Sequence, residues 1–211
     1  PAFQDGTSFV LSLYSTNLTS PDVTLPEALL KGQAPDKGLY MPREIPRVDR
    51  ATIEGWRRLD YPALATEILR LYTNGAFSAE TQRDLCADAY NYPVPVERVT
   101  GRHHLLRLDR GPTASFKDFA ARMMARWLAT ILAREGRELL ILTATSGDTG
   151  SAVAHAFHNL PRIRVCVLFP IAEVSDRQRR QMTTLGGNVA TLGVDGKFDD
   201  CQWMVKQAFA D

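Results

Sequence analysis

Residues 139–160 read LLILTATSGDTGSAVAHAFHNL, and three patterns follow one another within them. Leu139 to Thr143 is a short apolar run of the kind that forms a buried strand. Ala144 to Ser151 is small, polar and glycine-bearing, and from there to Leu160 the apolar spacing turns helical. A strand that passes through such a loop into a helix start makes a place for an anion. Gly147 and Gly150 let the backbone approach a ligand, the first N–H groups of the helix have no carbonyl to bond, and Thr145, Ser146 and Thr149 add hydroxyls. The plainer reading is a tight turn in which Asp148 or Thr149 only caps the helix, and the stretch by itself leaves both open.

Working outward, the same alternation continues. Strands are expected at Ile163–Phe169 and Val189–Val194, and helices at Ser175–Leu185 and Asp199–Phe209, with Ser175/Gln178 and Asp199/Gln202 in capping spacing. In the last helix Cys201, Met204, Val205, Ala208 and Phe209 share a face. Upstream, His103–Asp109 reads as a further strand, followed by a helix that ends near Glu135 with Gly136 in the stop position. Its polar residues Asp118, Arg122, Arg126, Thr130 and Arg134 recur every four positions, leaving one continuous apolar face to pack. Strands alternating with helices imply an α/β fold, a parallel sheet with flanking helices and right-handed crossovers, whose ligands bind at the carboxyl ends of the strands.

Arg110 to Ala120 reads RGPTASFKDFA. Ser115 and Asp118 have capping-box spacing, so a helix is expected to start near Ser115, with Lys117 in its first turn. The positive end of the macrodipole disfavours a second positive charge there by about 0.3–1 kcal/mol. The same field favours the neutral amine, which is the form that attacks a carbonyl. The bland alternative is an exposed lysine balanced by Asp118.

Up to Pro95 the chain is of another kind: nine of the twelve prolines lie between Pro1 and Pro95, which predicts short helices and irregular connections. Phe9–Tyr14 reads as a strand. Thr24 and Glu27 frame a helix that Gly32 ends, and Leu39–Met41 is extended. Helices are expected around Thr52–Leu59, Pro62–Thr73 and Ala79–Tyr90, the last capped by Ser78. None carries a cluster of reactive side chains. The expected organisation is a mainly helical N-terminal domain over 1–95 and an α/β domain over 96–211.

A formal net charge of +1 gives no electrostatic case for nucleic acid or an anionic membrane. The three cysteines, Cys86, Cys166 and Cys201, are scattered and odd in number, which favours reduced thiols and a cytoplasmic setting over a disulfide framework or a zinc site. No run approaches the ~20 apolar residues of a membrane span, and PAFQDGTSF has no signal-peptide pattern. His155 and His158 stand three apart on one helix without a third ligand, so packing is expected of them and no metal site. Trp56, Trp127 and Trp203 are likewise expected to pack.

Taken together, GPTASFKDF and TATSGDTGSAVAHAF resemble the threonine synthases, pyridoxal-phosphate enzymes of the tryptophan-synthase-like fold type II. LYST (13–16), EALLKGQAPDKGLYMP (27–42), QMTTLGGNV (181–189) and FDDCQWMVKQAF (198–209) extend the resemblance along nearly the whole chain. Family members continue for a second half of comparable size, so the chain resembles the N-terminal portion. The resemblance implies pyridoxal 5'-phosphate as cofactor, Lys117 as its Schiff-base lysine and proton carrier, and Thr145, Ser146, Gly147, Asp148 and Thr149 as the grip on the substrate α-carboxylate. Asp148 stands where many relatives have asparagine beside the cofactor ring, and a carboxylate there must be protonated or turned away. Asn17 stands where relatives often have arginine.

The implied reaction turns O-phospho-L-homoserine and water into L-threonine and phosphate. Arg177, Arg179 and Arg180 are available for the substrate phosphate, or form a solvated face. The clasp for the cofactor phosphate and the partner of its ring nitrogen would come from the family's C-terminal half, by association with it or with a second subunit, so little turnover is expected of the 211 residues alone. Two other readings stay open: another fold-type-II enzyme, a dehydratase or sulfhydrylase, and a noncatalytic binding module.

Overall fold

The computed structural model describes residues 11–73 and 75–209. Contacts divide the chain into two compact units between Asn91 and Tyr92.

The first unit begins with strand β1 (Leu13–Ser15), helix α1 (Leu25–Lys31) and strand β2 (Tyr40–Pro42). The start of the strand expected from Phe9 lies outside the described residues. β1 and β2 pair antiparallel, Leu13 opposite Pro42 and Ser15 opposite Tyr40. Glu27 accepts from the Thr24 N–H at 2.7 Å, and α1 stops at Gly32, whose φ of 71° suits a residue without Cβ. Leu11, Leu13, Val23 and Ala28 form a small core against Leu25, Tyr40 and Tyr72. Helix α2 (Arg50–Gly55) continues into a 3-10 turn (Trp56–Arg58), and α3 (Tyr61–Thr73) packs on α4 (Ala79–Ala89). The Tyr61 and Tyr90 rings meet edge to face, 5.2 Å apart at 89°. Helices dominate this unit as the proline distribution predicts, with starts shifted by a residue or two where Asp49 and Asp60 cap.

In the second unit the expected strand at 103–109 behaves differently. Residues His103–Leu106 (β4) pair antiparallel with Val96–Thr100 (β3), and all nine residues are exposed. Gly101, at φ 53°, closes the hairpin, so a local turn rather than a crossover decides its partner. β4 is therefore not part of the parallel sheet. That sheet has three strands in the order β5 (Leu139–Ala144), β6 (Ile163–Pro170), β7 (Val189–Val194), with Leu139 opposite Ile163 and Val165 opposite Val189. The middle strand is the most buried. Helices α6 (Asp148–Phe157) and α8 (Phe198–Ala208) pack on β6, and α7 (Asp176–Thr183) packs on α6 and β7.

Helix α5 (Lys117–Glu135) packs along α6 and ends at left-handed Gly136, as its sequence predicts. Its polar stripe does not face solvent throughout. Asp118 is 0% exposed and Arg122 5% exposed, and Arg126 donates to the Ala156 carbonyl at 3.2 Å. Arg126 is thus met by α6 and Asp118 by Thr113 of the loop before α5, because charged groups can be buried when partners meet them. In α8 the cap is Lys197 with Asp200, not Asp199 with Gln202. Of its apolar face only Cys201 is fully buried, and Trp203, Met204 and Phe209 are exposed rather than packed.

Candidate active site

Lys117 opens α5, one residue or two later than the capping spacing predicts. Asp118 does not complete a capping box with Ser115. Its Oδ2 accepts from the Thr113 N–H at 2.9 Å and its Oδ1 from the Thr113 hydroxyl at 2.7 Å. A Cβ on Gly111 would lie 2.8 Å from the Asp118 Cβ, so the loop can fold onto the carboxylate only because residue 111 is glycine. The carboxylate thus clamps the Gly111–Thr113 loop to the first helical turn. Beside it the half-buried Lys117 side chain places Nζ 4.5 Å from the Phe116 ring centre. Among the described residues that nitrogen has neither a hydrogen-bond acceptor nor an ion-pair partner. Asp118, spent on Thr113, does not serve as its counter-charge.

The loop after β5 is organised by Thr145, 1% exposed, whose hydroxyl accepts from the N–H groups of Gly147 at 2.9 Å and Gly150 at 2.8 Å. Gly147 has φ 135°, a conformation that L side chains rarely adopt, and a Cβ on Gly150 would come within 2.9 Å of the Met182 sulfur. Ser151 donates to the Gly147 carbonyl at 2.9 Å. With Thr145 turned inward, the backbone N–H groups of Ser146, Asp148 and Thr149 have no acceptor among the described residues, and all three residues are exposed. The donors expected from the sequence are therefore present, but Thr145 and Gly147 build the loop and the other three face outward.

Asp148 is turned aside: its Oδ1 accepts from the Gln178 amide nitrogen on α7 at 2.8 Å. Three residues on along α7, Gln181 makes a long bond of 3.4 Å to the Thr113 carbonyl. One helix thus touches both the loop that leads to Lys117 and the loop that leads to α6. The same helix borders an open cleft of about 590 Å³ lined by Asp176, Arg177, Arg180, Gln181 and Thr184. Arg179 pairs with Asp176 at 2.8 Å. Arg177 and Arg180 have no carboxylate partner among the described residues, so of the three arginines on α7 these two are free for an anion.

Behind the loop, His155 is held below the usual imidazole pKa, chiefly by burial and then by the Arg122 charge, with Asp118 opposing. Its Nδ1 is buried without a hydrogen-bond partner among the described residues. In the first unit Asn17 donates to the Asp36 carbonyl at 2.9 Å, within a turn built on the Asp36 carboxylate. That carboxylate accepts from Ser15, Thr19, Ser20 and Gly38, which holds it well below the usual aspartate range.

Sequence reasoning alone does not find Asp118 as a clamp, nor Gln178 and Gln181 as links. Gln178 is visible only as the partner of Ser175 in a capping box, which it also is. No local signal joins it to Asp148, 30 residues away.

Residues 12–90 match the family described as threonine synthase N terminus, and residues 93–211 match the family described as pyridoxal-phosphate dependent enzyme. The chain is 37% identical over 201 residues to a threonine synthase of Escherichia coli (strain K12), covering 95% of this chain and 46% of that protein. It is 36% identical over 216 residues to a threonine synthase of Schizosaccharomyces pombe, covering 95% and 42%. The crystal structure of a PLP-bound threonine synthase from Brucella melitensis superimposes with a TM-score of 0.90 at 36% identity, covering 95% of this chain and 45% of that one. The chain spans about half the length of the curated relatives it matches. A lysine that among the described residues has no hydrogen-bond or ion-pair partner at the head of α5, N–H donors without acceptors among those residues at the head of α6, and these likenesses lead to one conclusion: the chain belongs to the pyridoxal-phosphate dependent enzyme family, with residues 12–90 of the threonine synthase N-terminal type.

Proposed function

We propose that the chain is the lysine-bearing part of a threonine synthase, which converts O-phospho-L-homoserine and water to L-threonine and phosphate with pyridoxal phosphate as cofactor. The observation that carries this reading is the half-buried Lys117 amine, unpaired among the described residues because the neighbouring carboxylate is committed to Thr113. An aldehyde cofactor needs such an amine, and an amino-acid substrate needs a seat for its carboxylate, so the residues present fit the group. When bound, the cofactor withdraws electrons from the substrate α-carbon.

Lys117 would hold the cofactor and, once released from it, move protons at the α and β carbons. The N–H groups of Ser146, Asp148 and Thr149 would orient the substrate carboxylate, on a loop shaped by Thr145 and Gly147. Arg177 and Arg180 would draw the substrate phosphate toward the cleft beside α7. We assign the contacts to the cofactor phosphate and ring nitrogen to a C-terminal half like that of the relatives, in the same polypeptide or a second subunit. We infer a cytoplasmic setting for the reaction. Its substrate is a small molecule, and no described helix is long and apolar enough to cross a membrane.

Borohydride reduction in the presence of pyridoxal phosphate, followed by peptide mass spectrometry, tests the assignment. The cofactor's mass should appear on Lys117 and vanish in Lys117→Ala. A label spread over surface lysines, with Lys117 unmodified, would overturn it. With a C-terminal half like that of the relatives present, supplying O-phospho-L-homoserine or L-serine then separates threonine and phosphate from the pyruvate of a dehydratase.

A further inference from the structure

We propose that Gln178 is a positioning residue: it holds the Asp148 carboxylate away from the N–H donors at the head of α6 and so keeps them open to an anionic ligand. This rests on the reading of that loop as the carboxylate seat.

A carboxylate in the first turn of a helix is drawn by the macrodipole toward the free N–H groups there. Asp148, the first residue of α6, is so placed, yet the N–H groups of Ser146, Asp148 and Thr149 have no acceptor among the described residues. The reason lies on α7. The Gln178 side-chain oxygen accepts from the Ser175 N–H at 3.2 Å and from the Ser175 hydroxyl at 2.7 Å. With its oxygen fixed by the cap, the amide has only its nitrogen to present to the loop, and that nitrogen donates to Asp148 Oδ1 at 2.8 Å. The amide also lies flat against Gly147, where a Cβ would come within 2.8 Å of the Gln178 Oε1. Its orientation is thereby determined from three sides. Ser151, whose hydroxyl reaches the Gln178 carbonyl at 3.4 Å, ties the backbone of α7 to α6 at the same level.

The chemistry is one of sign. An amide N–H next to a carboxylate attracts it, and an oxygen in the same place repels it. Gln178→Glu keeps an oxygen for Ser175, so the α7 cap survives, and sets a second carboxylate against Asp148. Asp148 is then driven onto the loop donors and competes with any bound carboxylate. Adding Asp148→Asn to that variant restores a donor–acceptor pair with the roles exchanged.

Two measurements on the 211-residue chain test this. The first is amide hydrogen exchange at Ser146, Asp148 and Thr149, which needs no ligand. These amides should exchange about tenfold more slowly in Gln178→Glu, as a carboxylate claims them, and return to the original rate in Gln178→Glu/Asp148→Asn. Unchanged exchange in the single variant, or failure of the double variant to recover, overturns the proposal. The second is calorimetric titration with O-phospho-L-homoserine of the chain loaded with pyridoxal phosphate. Affinity should fall at least about tenfold in the single variant, since like charges brought together cost more than that factor, and recover in the double. If the exchange pattern is as expected but O-phospho-L-homoserine binds all three proteins equally, Gln178 still positions Asp148 and it is the carboxylate-seat reading that fails.

Discussion

Thr145→Val isolates the bond on which the loop depends. Valine has nearly the same shape as threonine, so the change keeps the packing of a side chain that is 1% exposed and removes one oxygen. That oxygen is the acceptor for two buried N–H groups, Gly147 at 2.9 Å and Gly150 at 2.8 Å. A buried donor left without a partner costs about 1–3 kcal/mol, so two give about 2–4 kcal/mol after the loop relaxes toward water. Neither glycine can turn its N–H elsewhere cheaply. Gly147 is held against Gln178, and Gly150 against Thr145 and Met182. Thr145→Ser retains the oxygen and loses a methyl, for about 1 kcal/mol. Urea unfolding followed by circular dichroism gives the two values, and hydrogen exchange at Gly147 and Gly150 localises them. A Thr145→Val protein within about 0.5 kcal/mol of the parent, with those two amides still protected, would refute the assignment of the hydroxyl as the loop's organiser.

Asp118→Ala should lower stability by about 3–5 kcal/mol, because it releases the Thr113 N–H and hydroxyl inside the fold; a loss below 1 kcal/mol in urea unfolding would contradict the clamp. The folded-state pKa of His155 lies below its unfolded value near 6.5, so the unfolded chain binds more protons in between. Stability should therefore be full above that value and fall as pH drops below it, and His155→Gln should flatten this part of the profile measured by thermal unfolding. Asp36 is depressed in the same sense, so its contribution is present above pH ~4 and lost in stronger acid. Asp36→Asn should remove that acid-dependent component while leaving the profile near pH 7 parallel to the parent. Gly136→Ala meets no neighbour but forces an alanine to φ 67°, which should cost about 1 kcal/mol without affecting cofactor labelling.

The parallel part of the fold is legible because each of its signals is local. LLILT is apolar over a strand's length, Gly136 stands one residue past a helix, and Ser175 with Gln178 marks a helix start; each needs only its neighbours in sequence. Where reading alone goes astray, a second element intervenes. His103–Leu106 has the composition of a sheet strand, but Val96–Thr100 reaches it first through a short turn. The polar stripe of α5 has the spacing of a solvated face, but α6 lies against it and takes Arg126 into a hydrogen bond.

The residue types at the candidate site, a lysine in a first helical turn and a glycine-bearing loop after a strand, were determined by the sequence itself, since helix starts and tight turns are made by a few adjacent residues. What Asp118 and Asp148 do was decided only by the tertiary structure. A carboxylate goes to whichever donor is nearest in space, and for these two the donors are Thr113, on a folded-back loop, and Gln178, 30 residues along the chain on another helix. The resulting freedom of Lys117 and of the α6 donors is a property of that packing.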